Sequence, residues 1–177
     1  MAVMTWLNRY RAMEAIIAKL QAEFPQLRFI PGKQFYWSPE TGEISYEADT
    51  RDRRALWSLL HETGHALLGH TTYRGDFELL KLEIDAWERA RALAADLGIK
   101  ISEDHVQNSL DTYRDWLHKR SICPSCATKC LQQADFAHYR CFNCHTVWKV
   151  TPNRFCRAYR RHAGVPQPQP TVLPAVT

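Results

Sequence analysis

The sequence contains no apolar run that approaches the roughly 20 residues needed to cross a bilayer, so we expect no membrane partner. Its N-terminal segment also lacks an unbroken apolar core behind a basic start, which is how a secretory signal is built. We therefore expect a cytoplasmic protein. Thiols stay reduced in that compartment, so the six cysteines need an explanation other than disulfides.

Charge of one sign is nearly missing from two parts of the chain. Residues 119–162 carry nine Lys and Arg but only one acidic residue, and the tail from residue 163 carries no charged side chain. Residues 1–118, by contrast, carry 14 basic and 18 acidic residues. An acidic body with a basic C-terminal part predicts that this part meets a polyanion or another acidic partner.

Apolar periodicity and turn residues divide the chain into three parts. Apolar residues spaced by three and four predict helices over 5–23, 50–69, 76–97 and 102–119, and extended segments predict short strands at 27–30, 35–38 and 43–47. We expect a small, mostly helical α+β domain with a short antiparallel sheet over residues 1–120. A cysteine-containing module with a basic extension follows over 121–162, and a flexible Pro-rich tail over 163–177.

The second predicted helix carries a motif that indicates metal chemistry. His61, Glu62 and His65 form H-E-x-x-H, and side chains four residues apart share a helix face, so both imidazoles can reach one ion. Glu62 lies beside that face, where it can take a proton from a water molecule that zinc has acidified. Since a catalytic zinc has three protein ligands and one open position, we predict a zinc hydrolase centre with Glu62 as the base.

The third ligand is expected outside this motif. His70 comes five residues after His65 and off its face of the helix, so we interpret it as a locally hydrogen-bonded residue at the helix end or as a substrate contact at the rim. The third predicted helix carries four candidate carboxylates, which are Glu78, Glu83, Asp85 and Glu88. Glu83 borders the apolar stripe of its helix and is preferred, while the other three stay open. Asp85 is also a candidate hydrogen-bond partner for a ligating histidine.

The cysteines predict a second metal site. Two C-x2-C pairs separated by fourteen residues have a spacing typical of zinc ribbons, and they are formed by Cys123, Cys126, Cys141 and Cys144. Four thiolates close the coordination sphere, so this zinc would be structural and would supply folding energy to a module with little core. Cys130 and Cys156 fall outside the spacing and are interpreted as buried or free thiols.

Basic and aromatic residues alternate through the cysteine-containing module. That pattern favours nucleic acid as its partner, since basic side chains contact phosphates and aromatic rings stack on bases. Two alternatives remain open. The module would otherwise dock a protein partner or substrate, or its aromatic residues would only form a small core.

The segment H-E-T-G-H at 61–65, followed by L-E-I-D-A-W at 82–87, resembles the ImmA/IrrE-like zinc metallopeptidases. The family pattern is H-E-[LIFY]-G-H and then E-x-E-A, and the resemblance covers roughly residues 5–97. It implies a zincin-like domain in which His61, His65 and Glu83 bind zinc and Glu62 is the catalytic base. Members of the family are typically repressor-cleaving or stress-response peptidases.

Three positions and one module depart from that pattern. Thr63 replaces an aliphatic or aromatic residue, and Asp85 replaces the second glutamate. Trp87 stands where many members have Asn or Asp, which removes a polar partner for a ligating histidine. The four-cysteine module instead resembles SprT-like proteases, which join H-E-x-x-H to a C-terminal zinc ribbon and act on DNA-bound proteins. Their third ligand is a histidine in a later H-G-x-x-W segment, which this sequence lacks.

These features together predict a zinc-dependent endopeptidase with one catalytic and one structural Zn²⁺. Its substrate would be a cytoplasmic regulator or a nucleic-acid-associated protein, extended along strand 43–47 by strand addition. Tyr46 and Tyr73 are the tyrosines considered for stabilising the oxyanion. The alternative functions are a nucleic-acid- or protein-binding adaptor with an inactive zincin core, and an SprT-like protease acting on DNA-bound proteins.

Overall fold

The computed structural model describes residues 2–50, 52, 54–150 and 160–162, and the side chains of residues 13–50, 52 and 54–150. The chain divides into two compact units, Met1–Asp111 and Thr112–Thr177. This division falls inside the last helix, whereas the sequence predicts a boundary after residue 120. The predicted tail, 163–177, lies outside the described residues.

Helices and small sheets are both present, as the sequence predicts. The helices are α1 (Ala2–Glu23), α2 (Ala55–Leu67), α3 (Asp76–Asp96) and α4 (Glu103–Ser121). The strands are β1 (Arg28–Pro31), β2 (Tyr36–Ser38), β3 (Glu43–Tyr46), β4 (Tyr139–Arg140), β5 (Val147–Val150) and β6 (Arg160–His162). None of the described helices combines the length and apolarity that a membrane crossing requires.

Helix α2 is shorter than predicted at both ends. At its start, Oδ1 of Asp52 accepts the backbone N–H of Arg54 at 2.9 Å. This side-chain turn occupies the backbone before Ala55 and delays the helix. At its end, Gly69 adopts a left-handed conformation with φ of 65°, which stops the helix and reverses the chain.

The first unit contains a three-stranded sheet in the order β1-β3-β2. The predicted hairpin is present, because β2 pairs antiparallel to β3 with Trp37 opposite Ile44. Strand β1 pairs with the other side of β3 in parallel, with Phe29 opposite Ile44, so this sheet is mixed and the prediction of an antiparallel sheet is wrong here. The expectation that residues 43–47 offer a free edge is therefore wrong, since β3 has a neighbour on both sides. Strands β1 and β2 lie at the two edges of this sheet instead.

Helices α2 and α3 approach each other closely in the first unit. A Cβ atom added to Gly64 would lie 2.5 Å from the carbonyl oxygen of Ala86, so this distance requires glycine. Thr63, the neighbour of Gly64, is fully buried, so this face of α2 lies against the core. Its hydroxyl donates to the carbonyl of Leu59 at 2.8 Å. The surrounding core includes Leu20, Ile44, Leu59, Leu60, Trp87, Ala90 and Leu93. The close approach brings the face of α2 that carries His61 and His65 next to α3.

The second unit is built from the end of α4 and the antiparallel sheet β4-β5-β6. Tyr139 stacks on Trp148 with ring centroids 5.4 Å apart, and both side chains are buried. The indole N–H of Trp148 donates to the carbonyl of Arg120 at 3.1 Å. The Arg120 guanidinium lies 3.9 Å from the centroid of the Trp116 ring. The last turns of α4 therefore belong to this small core.

Candidate metal centres

The two histidines of the motif and one carboxylate of α3 converge on a single point. The Nε2 atoms of His61 and His65 lie 3.1 Å apart. Oε2 of Glu83 lies 3.2 Å from Nε2 of His61, and Oε1 lies 3.7 Å from Nε2 of His65. The side chains of His61, His65 and Glu83 are only 10%, 12% and 9% exposed. We call this group the histidine–glutamate centre.

The donor atoms of the histidine–glutamate centre fit a metal ion. Tetrahedral zinc with ligands at about 2.0–2.1 Å separates its nitrogen and oxygen donors by roughly 3.3 Å, close to the spacings observed. Burial of Glu83 opposes its ionisation, but hydrogen bonds from His61 and His65 outweigh burial and hold the pKa of this carboxyl well below its usual range. The group therefore offers two imidazoles and one carboxylate, a set that zinc accepts.

The other three candidate carboxylates of α3 are engaged elsewhere or exposed. Glu78 accepts the backbone N–H of Arg74 at 2.7 Å, and Glu88 is exposed. Asp85 pairs with Lys81 one turn away, so the structure does not support its expected role as the partner of a ligating histidine. Of the four carboxylates, all of which are described, Glu83 is the one that joins the histidines.

Glu62 follows His61 directly in α2, and a hydrogen bond from the sheet of the first unit holds its side chain. Its Oε2 accepts the backbone N–H of Trp37 in β2 at 2.8 Å. The side chain is half-buried, which leaves it partly open to solvent. One oxygen is thus anchored to the edge strand, and the carboxylate can still accept a proton from a nearby molecule.

The two histidines have different surroundings on the side away from Glu83. Nδ1 of His65 lies 2.9 Å from Nδ1 of His70, so His70 is a local hydrogen-bond partner, as one of the two interpretations expects. Burial, followed by the nearby His65, lowers the pKa of His70. His61 is stacked on Trp87 at 4.2 Å between ring centroids, and its Nδ1 finds no partner among the described residues. That agrees with the loss of a polar partner expected from Trp87.

The two tyrosines considered for the oxyanion lie in different environments. Tyr46 is buried in the core, where its hydroxyl contacts Oε1 of Glu14 at 3.2 Å, so it is not placed to meet a substrate. Tyr73 lies in the loop between α2 and α3 and is 38% exposed. Tyr46 is therefore excluded, and the assignment of Tyr73 stays a prediction.

The four predicted cysteine ligands form a second group, which we call the cysteine centre. Their Sγ atoms all lie within 4.8 Å of one another, and the group consists of Cys123, Cys126, Cys141 and Cys144. The closest Sγ pairs, one sulfur from each C-x2-C motif, are 3.4 and 3.5 Å apart. A disulfide would need about 2.05 Å, whereas tetrahedral zinc at about 2.3 Å from each sulfur separates them by roughly 3.8 Å. The group therefore has the spacing of a metal site.

Each pair of cysteines sits in the same kind of turn. The N–H of Cys123 donates to the carbonyl of Thr128 at 2.8 Å, and the N–H of Cys141 donates to the carbonyl of Thr146 at 2.9 Å. The residue between the second cysteine and the threonine has a positive φ in both turns, 58° at Ala127 and 60° at His145. The sequence signal for these two equivalent turns is the repeat C-x2-C-x-T at 123–128 and 141–146.

The threonines of these turns are site residues that the sequence analysis missed. Oγ1 of Thr128 lies 3.2 Å from Sγ of Cys126, and Oγ1 of Thr146 lies 3.1 Å from Sγ of Cys144. The hydroxyl of Thr128 is the first cause that lowers the pKa of Cys126 to about 5. Burial, by contrast, raises the pKa of the Cys123 thiol to about 11. Because metal binding requires thiolates, the Thr128 hydroxyl favours the ligand form of Cys126, whereas the Thr146 hydroxyl donates to Oγ of Ser125 at 3.0 Å.

The remaining cysteines and aromatic residues divide by burial. Cys130 is buried, as expected, and its Sγ donates to the carbonyl of Thr128 at 3.4 Å, while Cys156 lies outside the described residues. Tyr139 and Trp148 form the core of the second unit. Phe136 and Phe142, in contrast, are 45% and 73% exposed. Two aromatic residues of the module are thus structural, and two face solvent.

No protein-family model, curated protein or solved structure matches this chain. The candidate centres therefore rest on the residues and geometry of this chain. Within the described residues, the histidine–glutamate centre and the cysteine centre are the groups that could each hold a metal ion.

Proposed function

We propose that this chain is a zinc-dependent endopeptidase of the zincin type, with Glu62 as its catalytic base. The observation that carries the proposal is the convergence of His61, His65 and Glu83 next to a carboxylate that is held by β2 but is not a ligand. Three protein ligands leave one position open, which is typical of catalytic rather than structural zinc. The resemblance of residues 61–87 to ImmA/IrrE-like peptidases supports the same assignment.

Different residues of the chain would have different roles in peptide hydrolysis. His61, His65 and Glu83 would hold the zinc ion, which supplies Lewis-acid polarisation of a carbonyl and lowers the pKa of water. Glu62 accepts a proton from the attacking water and passes it to the leaving amine nitrogen. The Trp37 amide orients the Glu62 carboxylate for both transfers. We place the substrate segment beside β2 rather than β3, because β2 is an edge strand and its Trp37 contacts Glu62.

The cysteine centre has a different part in this proposal. Four thiolates fill the coordination sphere of a zinc ion and leave no position for a substrate. The core of the second unit is small, so the ion would hold its two turns together. We therefore assign one catalytic and one structural Zn²⁺ to each chain.

Replacement of Glu62 by Gln tests the proposed reaction. The variant keeps an oxygen that can accept the Trp37 N–H but loses the proton acceptor, and we expect cleavage to fall by about 10²–10⁴-fold. The zinc-loaded protein is incubated with a cytoplasmic protein extract, and new N-termini are mapped by mass spectrometry. Glu88→Gln, on the exposed face of α3, is the matched control and should cleave like the wild type. Equal cleavage by the wild type and Glu62→Gln would contradict the assignment.

A second candidate function, binding of single-stranded nucleic acid, is favoured by the second unit. Phe136 and Phe142 are exposed, whereas the aromatic residues of its core are other side chains. Lys129 and Lys149 are exposed in the same unit. Exposed rings can stack on bases, and lysines can contact phosphates. Arg154 and Arg157, which belong to the same basic and aromatic pattern, lie outside the described residues.

Fluorescence anisotropy with a labelled single-stranded oligonucleotide tests this second function. We expect affinity to fall steeply as salt concentration rises, and Phe142→Ser to cost about 1–3 kcal/mol of binding free energy. Phe77→Ser, which replaces an exposed ring of the first unit, is the control. A weak, salt-independent interaction that Phe142→Ser leaves unchanged would favour an acidic protein partner or a purely structural module.

A further inference from the structure

The way in which α2 ends determines the position of His70. Gly69 has a left-handed backbone with φ of 65°. Its N–H donates to the carbonyl of Ala66 at 3.1 Å, and the N–H of His70 donates to the carbonyl of His65 at 3.0 Å. This pair of hydrogen bonds defines a Schellman turn, which folds the residue after the glycine back over the last helical turn. His70 is thereby brought to His65 although five positions separate them.

The imidazoles of these two residues meet nitrogen to nitrogen. Their Nδ1 atoms lie 2.9 Å apart, with ring centroids at 5.0 Å and planes 70° apart. A neutral imidazole has one donor and one acceptor nitrogen, so this contact needs a single proton between the two rings. Nε2 of His65 faces Glu83, where its lone pair must be free to bind a metal ion. When a metal ion occupies the centre, the proton of His65 must therefore sit on Nδ1, where it can be donated to His70.

His70 is in turn held by the edge strand. The indole N–H of Trp37 donates to the carbonyl of His70 at 2.8 Å, and the amide N–H of the same tryptophan donates to Glu62. Trp37 of β2 thus holds both Glu62, the candidate base, and His70, which contacts the candidate ligand His65. Because a tryptophan has only two χ angles and this one is partly buried, the connection is stiff.

The other candidate ligand has no equivalent support. Trp87 stacks on His61, and Nδ1 of His61 is buried without a partner among the described residues. Stacking restricts the tilt of a ring but does not select which nitrogen carries the proton. Hydrogen bonding at Nδ1 does both, and metal-bound histidines nearly always have it. His65 is therefore the ligand whose orientation and proton position are set by another side chain.

We propose that His70 is a positioning residue, which accepts a hydrogen bond from Nδ1 of His65 and keeps Nε2 of His65 directed at the metal. Trp37 holds His70 in place for this role. The proposal rests on metal binding by the histidine–glutamate centre, which is part of the proposed function. It does not depend on peptide hydrolysis.

The zinc affinity of the centre tests the proposal through two variants of one residue. His70→Leu removes the acceptor, and we expect zinc at the histidine–glutamate centre to bind about 10–100-fold more weakly. His70→Asn places Oδ1 near the position of the lost Nδ1, and affinity should return close to the wild-type value. His118→Leu, at an exposed histidine near the end of α4, is the matched control. Chelator competition gives the affinity, and elemental analysis gives the number of zinc ions per chain.

The outcomes separate this proposal from the proposed function. Wild-type affinity in His70→Leu, or an equal loss in His70→Asn and His70→Leu with both variants folded, overturns the positioning role alone. A wild-type chain that takes up one zinc ion, at the cysteine centre, overturns both. Nitrogen NMR of the zinc-loaded wild type decides the point even if the variants fail to fold. We expect a proton on Nδ1 of His65 that is protected from exchange, and an unprotonated Nδ1 overturns the proposal.

Discussion

The two candidate metal centres are built in opposite ways. The histidine–glutamate centre takes its residues from two long helices, α2 and α3, whose close approach depends on packing at Gly64. The cysteine centre takes its residues from two short turns that repeat one local hydrogen-bond pattern. The first centre is therefore a consequence of a folded core, and the second adds to the small core of its unit. A metal ion should matter for chemistry in one unit and for folding in the other.

The largest effect is expected from loss of a cysteine ligand. Cys141→Ser should lower the zinc content from two ions toward one and unfold the second unit, since structural zinc contributes roughly 10–16 kcal/mol in small zinc domains. The indole N–H signal of Trp148, which now bonds to Arg120, reports on this unit in NMR spectra. Cys130→Ser is the control, because Cys130 is outside the centre, and it should keep both ions. A second unit that stays folded without its zinc would remove the contrast between the centres.

Loss of the carboxylate ligand should affect the first centre without unfolding its unit. Glu83→Gln keeps the shape of the side chain but removes its charge, so zinc should bind there more than about 100-fold more weakly, beyond the usual effect of losing a supporting residue. Thermal unfolding of the metal-free protein and chelator competition measure the two properties separately. Glu88→Gln is exposed and should change neither. Unchanged zinc affinity in Glu83→Gln would assign the third ligand elsewhere.

The dependence of the first centre on helix packing can be tested at a glycine. Gly64→Ala places a methyl group 2.5 Å from the carbonyl of Ala86 and must push α3 away, at a cost of about 1–3 kcal/mol and with loss of zinc affinity. Gly98→Ala is the matched control, because Gly98 has a φ of 68° with open space around it. That variant should cost roughly 1–2 kcal/mol through backbone strain and leave zinc affinity unchanged. Equal zinc affinities in both variants would show that packing does not set the ligand spacing.

The smallest effect is expected from the threonines of the cysteine centre. Thr128→Val removes a hydroxyl that donates to Cys126 while keeping the branched shape, and should weaken zinc binding by about 10-fold, the lower end for a supporting group. Thr146→Val should have a smaller effect on zinc binding, because the Thr146 hydroxyl donates to Oγ of Ser125 at 3.0 Å. Zinc transfer to a chelating dye at equilibrium measures both. A larger loss of zinc affinity in Thr146→Val than in Thr128→Val would contradict this assignment.

The sequence predicts the candidate ligands well because their arrangement is mostly local. His61 and His65 share a face as a consequence of helix periodicity, and the cysteine pairs depend on fixed spacing. The place of Glu83 beside an apolar stripe favours it over the three other candidate carboxylates, and in the structure it lies at the histidines. Each histidine or cysteine pair needs only the geometry of one helix or turn, whereas the approach of Glu83 to the histidines also needs the packing of α2 against α3. The assignment of a metal and of a reaction to them stays a prediction.

Sheet order was not predictable from the same reasoning. Residues 43–47 alternate like a half-exposed edge strand, but β3 acquires a parallel neighbour, β1, that comes from outside the hairpin. The parallel pairing of β1 is set by tertiary packing, which alternation along one strand cannot reveal. The edge available next to Glu62 therefore belongs to β2.

The local hydrogen bond expected for His70 is present, but its partner was not predicted. Helix periodicity alone places His70 off the ligand face, whereas Gly69 ends the helix and folds His70 back onto His65. A glycine just after a helix is a signal for this turn, so the contact was open to prediction. The threonine hydroxyls of the cysteine centre were likewise marked by the repeated C-x2-C-x-T pattern.

Anomalous diffraction at the zinc edge, from crystals of the zinc-loaded protein, tests the central claim most directly. The account predicts two zinc peaks per chain. One lies among the four sulfurs, and the other lies between Nε2 of His61, Nε2 of His65 and the carboxylate of Glu83, with Glu62 beside the metal but not bound to it. A single peak at the cysteine centre would contradict the account, and so would a second peak that Glu83 does not contact.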